Sequence, residues 1–155
     1  MQHKKLIIIT RGFPFGRGEA FLENEIEALS TRFDEIYIYA QLTFFHSNYF
    51  DLNECRKLPK NVKTFKINKF KKPSKFQLFK KFISTPILIK EIINIVLRKK
   101  PNLKNIKTAF HYYFLALHSY DCISKDLNIK SNRKIYFYSY WFYHEPLTTI
   151  LLKKK

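Results

Sequence analysis

The sequence predicts an α/β fold, with a parallel sheet and flanking helices, formed as one domain over residues 1–155. Two short apolar runs, residues 6–10 and 36–40, have the length and isoleucine content of strands buried on both faces. A segment with helical spacing of apolar residues lies between them, so the two strands should pair in parallel through a helical crossover. A chain of 155 residues is long enough to bury a substantial core.

The first helix is predicted over residues 18–33. Its apolar residues recur every three or four positions, so one stripe can face the sheet while three glutamates point toward water. The stripe is Leu22, Ile26, Leu29 and Phe33, and the glutamates are Glu23, Glu25 and Glu27.

The later elements continue the alternation of strands and helices. Residues 61–68 alternate apolar residues with lysines, which predicts a third and more exposed strand. Residues 74–129 look helical, with one helix over 86–99 and a longer one after Pro101. An aromatic strand over 134–141 and a last helix from about Glu145 complete the series.

Cysteine and histidine usage argues against a disulfide framework and a metal site. Cys55 and Cys122 have no CxxC spacing, and the five histidines have no ligand spacing with a carboxylate or cysteine. We expect His111 and His118, seven residues apart on one helix, to pack rather than bind. The apolar runs are too short or too interrupted for a signal peptide or a spanning helix, so a cytoplasmic location is predicted.

The charge is distributed unevenly along the chain. Residues 1–53 carry a net charge of −2 and the remainder +19, and no acidic residue occurs between Glu54 and Glu91. Basic groups interleaved with aromatic rings can meet nucleic acid or an anionic membrane surface. An AT-rich coding sequence would also enrich lysine, but it does not explain the missing acids. The predicted membrane-surface residues are Lys66, Lys69, Lys71, Lys72, Lys75, Phe76, Phe79, Lys80 and Lys81.

All three glycines of the chain lie in the loop after the first strand, at Gly12, Gly16 and Gly18. Such clustering indicates positive φ angles or the close approach of a ligand, although a tight turn without a ligand is the alternative. The spacing is not a dinucleotide fingerprint, because Glu19 lies at the predicted helix start. A carboxylate there interacts favourably with the helix dipole and repels a phosphate.

A second candidate region follows the aromatic strand. Tyr140 and Trp141 end this strand and His144 follows it, and ligands of open parallel sheets collect at the carboxyl ends of the strands. Ordinary aromatic packing over the sheet edge is the alternative for these three residues.

Together, residues 8–26 and 138–141 resemble the N-terminal domain of bacterial family 4 glycosyltransferases. These retaining enzymes build capsule, exopolysaccharide, lipopolysaccharide and related glycans. The first segment carries most of the likeness, the second carries some, and the middle of the chain matches only in general layout. The resemblance implies a Rossmann-like parallel sheet that forms the N-terminal half of a GT-B fold, in which two such domains face each other across a cleft.

The resemblance also implies a division of labour. The N-terminal half of such an enzyme mainly holds the acceptor, and the C-terminal half binds the nucleotide-sugar donor, with no other cofactor. The expected acceptor-side residues are Gly16, Arg17, Gly18, Glu19, Tyr140, Trp141 and His144. Within this set, Arg17 and the loop amides would offset anionic charge, and Glu19 and His144 would contact acceptor hydroxyls. No catalytic residue is assigned.

The sequence stops before the segments that would follow in this family, so it is expected to be an incomplete, truncated enzyme that does not transfer sugar alone. The expected partners are a nucleotide sugar, a glycan or lipid-linked acceptor, and peripheral contact with the anionic inner face of the cell membrane. A small basic binding module that contacts nucleic acid or a membrane surface is the alternative. It would use the lysine and phenylalanine segment and would not need the glycine loop.

Overall fold

The computed structural model describes residues 3–16, 18–42, 55–67, 86, 89–90, 93–94, 103–127, 134–140 and 144–153. In these parts of the chain the elements are β1 (Lys4–Thr10), α1 (Leu22–Ser30), β2 (Glu35–Gln41), β3 (Val62–Ile67), α2 (Leu103–Asp126), β4 (Lys134–Ser139) and α3 (Glu145–Lys153). The five described positions of the helix predicted over residues 86–99 are also helical.

The four strands form one parallel sheet in the order β3-β2-β1-β4, which confirms the predicted α/β class. Ile8 of β1 lies opposite Ile38 of β2 on one side and Tyr138 of β4 on the other. The chain therefore builds outward from β1 through β2 to β3 and then returns to add β4 on the opposite side of β1. This reversal makes the boundary between β1 and β4 a topological switch point.

The central strands are buried on both faces, as their continuous apolar runs predict. Ile8 and Ile38 belong to the cluster formed with α1, whereas Ile7 and Ile9 belong to a second cluster with α2 and α3. Helices thus cover both faces of the sheet. Each fully buried side chain of this size stabilises the fold by about 1.5–3 kcal/mol, so these two clusters supply most of the driving force for the sandwich.

Helix α1 is shorter than the sequence predicts, because it begins at Leu22 and ends at Ser30. Glu19 has a φ of 56°, which lies outside the right-handed helical region, so the helix cannot extend back through it. At the other end, the N–H groups of Arg32 and Phe33 both donate to the carbonyl of Leu29 and close the last turn. The chain then enters β2 directly.

The long helix α2 anchors α3 against the sheet. Tyr113 and Phe114 of α2 pack with Leu147 of α3. The hydroxyl oxygen of Thr148 lies 3.4 Å from the carbonyl oxygen of Ala116, which brings the two helices together through a buried polar contact. The packing fixes the first turn of α3 beside the carboxyl end of β4.

Some predictions fall outside the described residues, namely Arg17, Trp141, the short helix from Ser74, and every proposed membrane-surface residue except Lys66. Among the residues that the structure describes, no helix is long and apolar enough to cross a membrane. The same residues contain no cluster of three or more metal-ligating side chains. Cys55 and Cys122 are free thiols.

Candidate functional site

The candidate site lies where the carboxyl ends of β1 and β4 meet. Ile9, near the end of β1, pairs with Ser139, the last residue of β4. The glycine loop follows β1, Tyr140 directly follows β4, and His144 lies directly before α3. Because a parallel sheet leaves a crevice at its switch point, the geometry favours a ligand site between these two segments.

Glu19 holds the glycine loop closed over the end of β1. One carboxylate oxygen accepts the N–H of Arg11 at 3.2 Å, and the other accepts the N–H groups of Gly12 and Phe13, each at 2.8 Å. Hydrogen bonds to an ionised acceptor are stronger than neutral ones. The chain's own carboxylate therefore occupies the amide cluster that a phosphate would otherwise use. Glu19 thus has a structural contact in addition to its predicted role at the acceptor.

Arg56 also stabilises the glycine loop, although it lies about 40 residues after the segment that the sequence analysis selected. Its guanidinium donates to the carbonyls of Gly16 at 3.1 Å and Gly18 at 3.5 Å, and it pairs with the carboxylate of Glu23 at 3.0 Å. Gly16 is buried and has a φ of 74°, which explains why glycine is needed there. A lone arginine among the lysines of residues 55–67 is the signal that could have identified this brace, because only guanidinium offers a planar fork of donors.

His144 is buried directly before α3, with only 2% of its surface exposed. Its ring lies nearly parallel to that of Tyr112, with ring centroids 6.5 Å apart and planes 8° apart. Burial lowers the pKa of His144 to about 4, and the positive charges of Arg11 and His111 add to the effect. This lowered pKa favours the neutral imidazole at pH 7, although Nδ1 of His144 lies 3.8 Å from the carboxylate of Glu145.

The first turn of α3 fixes the backbone at His144. The carbonyl of His144 accepts the N–H of Thr148 at 3.0 Å and its hydroxyl at 3.1 Å. The carboxylate of the fully buried Glu145 accepts the N–H of His144 at 3.0 Å. A carboxylate at a helix N-terminus interacts favourably with the helix dipole. These hydrogen bonds thus fix the backbone at the start of α3.

An exposed aromatic pair joins the residue before α1 to the residue after β4. Phe21, just before α1, is 46% exposed, and Tyr140, just after β4, is 39% exposed. Their ring centroids are 4.6 Å apart, with a tilt of 35° between the planes. Sequence reasoning found Tyr140 but missed Phe21, since an aromatic residue at a helix start gives no signal of its partner across the sheet edge.

A cleft of about 450 Å³ opens on α2, lined by Lys104, Lys107, Thr108, His111 and Tyr112. His111 is exposed and lines this cleft, with its ring centroid 5.9 Å from that of Tyr112. His118 is half-buried with its Nε2 3.9 Å from the sulfur of Cys122, as the prediction requires. The two positions differ because the N-terminal half of α2 carries its polar face away from the core.

The predicted site residues that the structure describes lie near the carboxyl ends of the strands or directly after them. Gly16, Gly18 and Glu19 belong to the loop after β1, and Tyr140 and His144 follow β4. Lys66 lies on β3, with its ammonium nitrogen 4.4 Å from the ring centroid of Phe15. The fold thus links one predicted membrane-surface lysine to the glycine loop.

Fold and site together define an α/β protein with an open parallel sheet, whose described strands have a topological switch point between β1 and β4. Comparison with protein-family models, with curated protein sequences and with solved structures finds no match to this chain.

Proposed function

We propose that this chain is the acceptor-binding part of a retaining glycosyltransferase with a GT-B architecture. The enzyme would move a sugar from a nucleotide-sugar donor to a glycan or lipid-linked acceptor. The observation that carries the proposal is the convergence of the glycine loop and the segment after β4 at one switch point. These two segments also carry the sequence resemblance, although they are far apart along the chain.

The exposed pair of Phe21 and Tyr140 suits a sugar ring. The C–H bonds on one face of a pyranose are weakly positive, and the face of an aromatic ring is negative. Two tilted rings with centroids 4.6 Å apart offer a platform next to the glycine loop. In the proposal, the acceptor sugar lies on this platform.

Glu19 and His144 take supporting roles in this proposal. Glu19 positions the loop because its carboxylate accepts hydrogen bonds from three backbone N–H groups of the loop. His144, neutral and almost fully buried, sets the orientation of Tyr112 through the parallel ring contact. Donor binding falls to a second domain in the family that the sequence resembles, and no residue described in this structure is assigned to it.

The basic and aromatic segment that begins with Lys66 would keep the protein near a lipid-linked acceptor. A lysine close to an anionic leaflet contributes up to about 1 kcal/mol to membrane binding. Sedimentation with anionic vesicles at low salt tests this part of the proposal, and equal binding to neutral vesicles would contradict it.

Saturation-transfer NMR with a panel of methyl glycosides tests the acceptor platform. We expect at least one pyranoside to receive magnetisation from the wild-type protein, and Tyr140→Ala to abolish the transfer. Ile150→Ala is the matched control, because Ile150 is a similarly exposed apolar side chain on α3. Absence of transfer to every glycoside, or equal effects of the two substitutions, would contradict the proposal.

A gel-shift titration with salt variation addresses the alternative of a basic binding module. Tight, salt-dependent binding of nucleic acid without any sugar binding would favour that alternative. If the chain is part of a glycosyltransferase, we expect only weak binding of nucleic acid, which disappears at physiological ionic strength.

A further inference from the structure

Strand β4 forms one edge of the sheet. In the part of the chain that the structure describes, β4 pairs with β1 and with no other strand. Residues 135–139 of β4 are all half-buried, whereas residues 6–10 of the neighbouring strand β1 are buried. This difference is expected when one strand is paired on a single side and the other on both sides.

The outer edge of β4 presents backbone hydrogen-bonding groups at every second residue. The N–H of Lys134 donates to the carbonyl of His3 at 3.2 Å, so the backbone of Lys134 faces β1. Along a strand, successive residues direct their backbone N–H and C=O groups to opposite sides. The backbone groups of Ile135, Phe137 and Ser139 therefore point away from β1. Such a row of outward-facing groups is a template for pairing with another strand.

The opposite edge of the described sheet, β3, differs from β4 in charge. Strand β3 carries Lys63 and Lys66, whereas the only charged residue of β4 is Lys134, at its first position. Lysines on an edge strand oppose pairing with a second chain. Residues 135–138 of β4 are isoleucine or aromatic, and such side chains form favourable pairs across two strands. Strand β4 is therefore the edge suited to strand addition.

The edge of β4 is complementary to a second copy of itself. A two-fold axis perpendicular to the sheet can place Phe137 opposite the second copy's Phe137, and Ile135 opposite the second copy's Ser139. All three residues have outward-facing backbones, so each opposed pair exchanges two N–H···O=C hydrogen bonds. The two Lys134 residues then lie at opposite ends of the ladder, about 20 Å apart along the strands. This separation exceeds the Debye length of about 8 Å at physiological ionic strength, so their mutual repulsion is screened.

We infer that this chain forms a two-fold dimer through antiparallel pairing of β4 with the β4 of a second copy. The pairing joins the two sheets edge to edge and does not depend on the proposed function. Each copy carries a formal net charge of +17, so the two copies repel each other overall. Backbone hydrogen bonds and aromatic contacts are not ionic. The dimer should therefore become tighter as added salt screens the repulsion.

Sedimentation velocity of the full chain over a range of concentrations tests the inference. We expect reversible association to twice the 18.8 kDa mass of one chain, and tighter association at high salt than at low salt. Ser139→Pro removes an outward-facing N–H from each copy and should weaken the dimer at least about tenfold. Thr64→Pro is the matched control on β3. The carbonyl of Asn61 accepts the N–H of Ile36 on β2, so the alternation directs the N–H of Thr64 to the outer edge of β3.

Disulfide cross-linking tests the register of the pairing, in a background with Cys55→Ser and Cys122→Ala. Phe137→Cys brings two thiols together across the two-fold axis, with Cα atoms about 5.5 Å apart, a separation that a disulfide can span. Tyr136→Cys is the matched control, because Tyr136 lies opposite the second copy's Tyr138 and away from its own counterpart. We expect oxidation to give a covalent dimer of the Phe137 variant and not of the Tyr136 variant.

A wild-type chain that sediments as a monomer at every concentration and salt level would overturn the inference, whether or not the variants fold. Equal weakening of the dimer by the two proline substitutions would also overturn it, and so would equal cross-linking of the two cysteine variants. Association that continues beyond the dimer would show that the pairing does not close about a two-fold axis. Circular dichroism identifies any variant that loses its fold, and only folded variants enter these comparisons.

Discussion

The carboxylate of Glu19 accepts the backbone N–H of Gly12 at 2.8 Å and thereby ties the start of α1 to the end of β1. The same oxygen also accepts the N–H of Phe13. An acidic residue at the mouth of a glycine loop argues against a phosphate site there. The geometry supplies the physical reason, because the loop amides already bind an anion that belongs to the chain.

Replacement of Glu19 by glutamine should destabilise the protein by about 1.5–3 kcal/mol, the range for hydrogen bonds to a charged group. Glutamine keeps only one accepting oxygen, and its amide group would face the N–H donors of the loop. Urea unfolding measures the loss. Glu27→Gln is the matched control, since Glu27 is exposed on α1. Equal losses in the two variants would show that the carboxylate does not hold the loop.

Replacement of Arg56 by lysine should loosen the glycine loop. A lysine cannot reproduce the planar fork that reaches Gly16, Gly18 and Glu23, so we expect a loss of about 1 kcal/mol and faster amide exchange in residues 11–21. Hydrogen-exchange mass spectrometry reads the loop directly. Lys57→Ala is the control, because Lys57 is exposed and its replacement should leave amide exchange in the loop unchanged. Unchanged exchange in the Arg56 variant would contradict the brace.

The depressed pKa of His144 predicts an acid-sensitive fold. The unfolded chain takes up a proton at this histidine near pH 6.5, whereas the folded protein resists protonation until about pH 4. His144 should therefore cost no stability above pH 6.5 and should destabilise the fold progressively between pH 6.5 and 4, by up to about 3 kcal/mol. We expect His144→Gln to lack this decline. If the free energy of unfolding in urea declined equally in the variant and the wild type over that pH range, the prediction would be wrong.

The hydroxyl of Tyr138 donates to the carboxylate of Glu25 at 2.8 Å, and burial together with this contact raises its pKa to about 12. Tyr138→Phe should cost about 0.5–1.5 kcal/mol at pH 7. Because the unfolded tyrosine ionises near pH 10, the stability that this residue supplies should be lost as the pH rises from about 10 to 12. Ultraviolet titration of the phenol checks the pKa. Tyr136→Phe, on the same strand, serves as the control, and an equal cost there would refute the role of Glu25.

Periodicity was sufficient to predict most elements of the fold. Strands β1 and β2 and the helix between them follow from local spacing, and their parallel pairing follows from the crossover. The predicted start of α1 was wrong because Glu19 forms hydrogen bonds with residues six to eight positions earlier. These contacts override the helical pattern of residues 18–21, and local helix propensity does not predict them.

The sequence by itself determined the alternation of strands and helices, the clustering of glycines after β1 and the concentration of positive charge after residue 53. Only the tertiary structure decided that Glu19 accepts hydrogen bonds from the N–H groups of the loop, that Arg56 donates to its carbonyls and that the ring of Tyr112 lies nearly parallel to that of His144. The reason is physical. Backbone propensity and the spacing of apolar residues are set over a few neighbouring residues, whereas hydrogen-bond and ring partners depend on which distant segments the sheet order brings together.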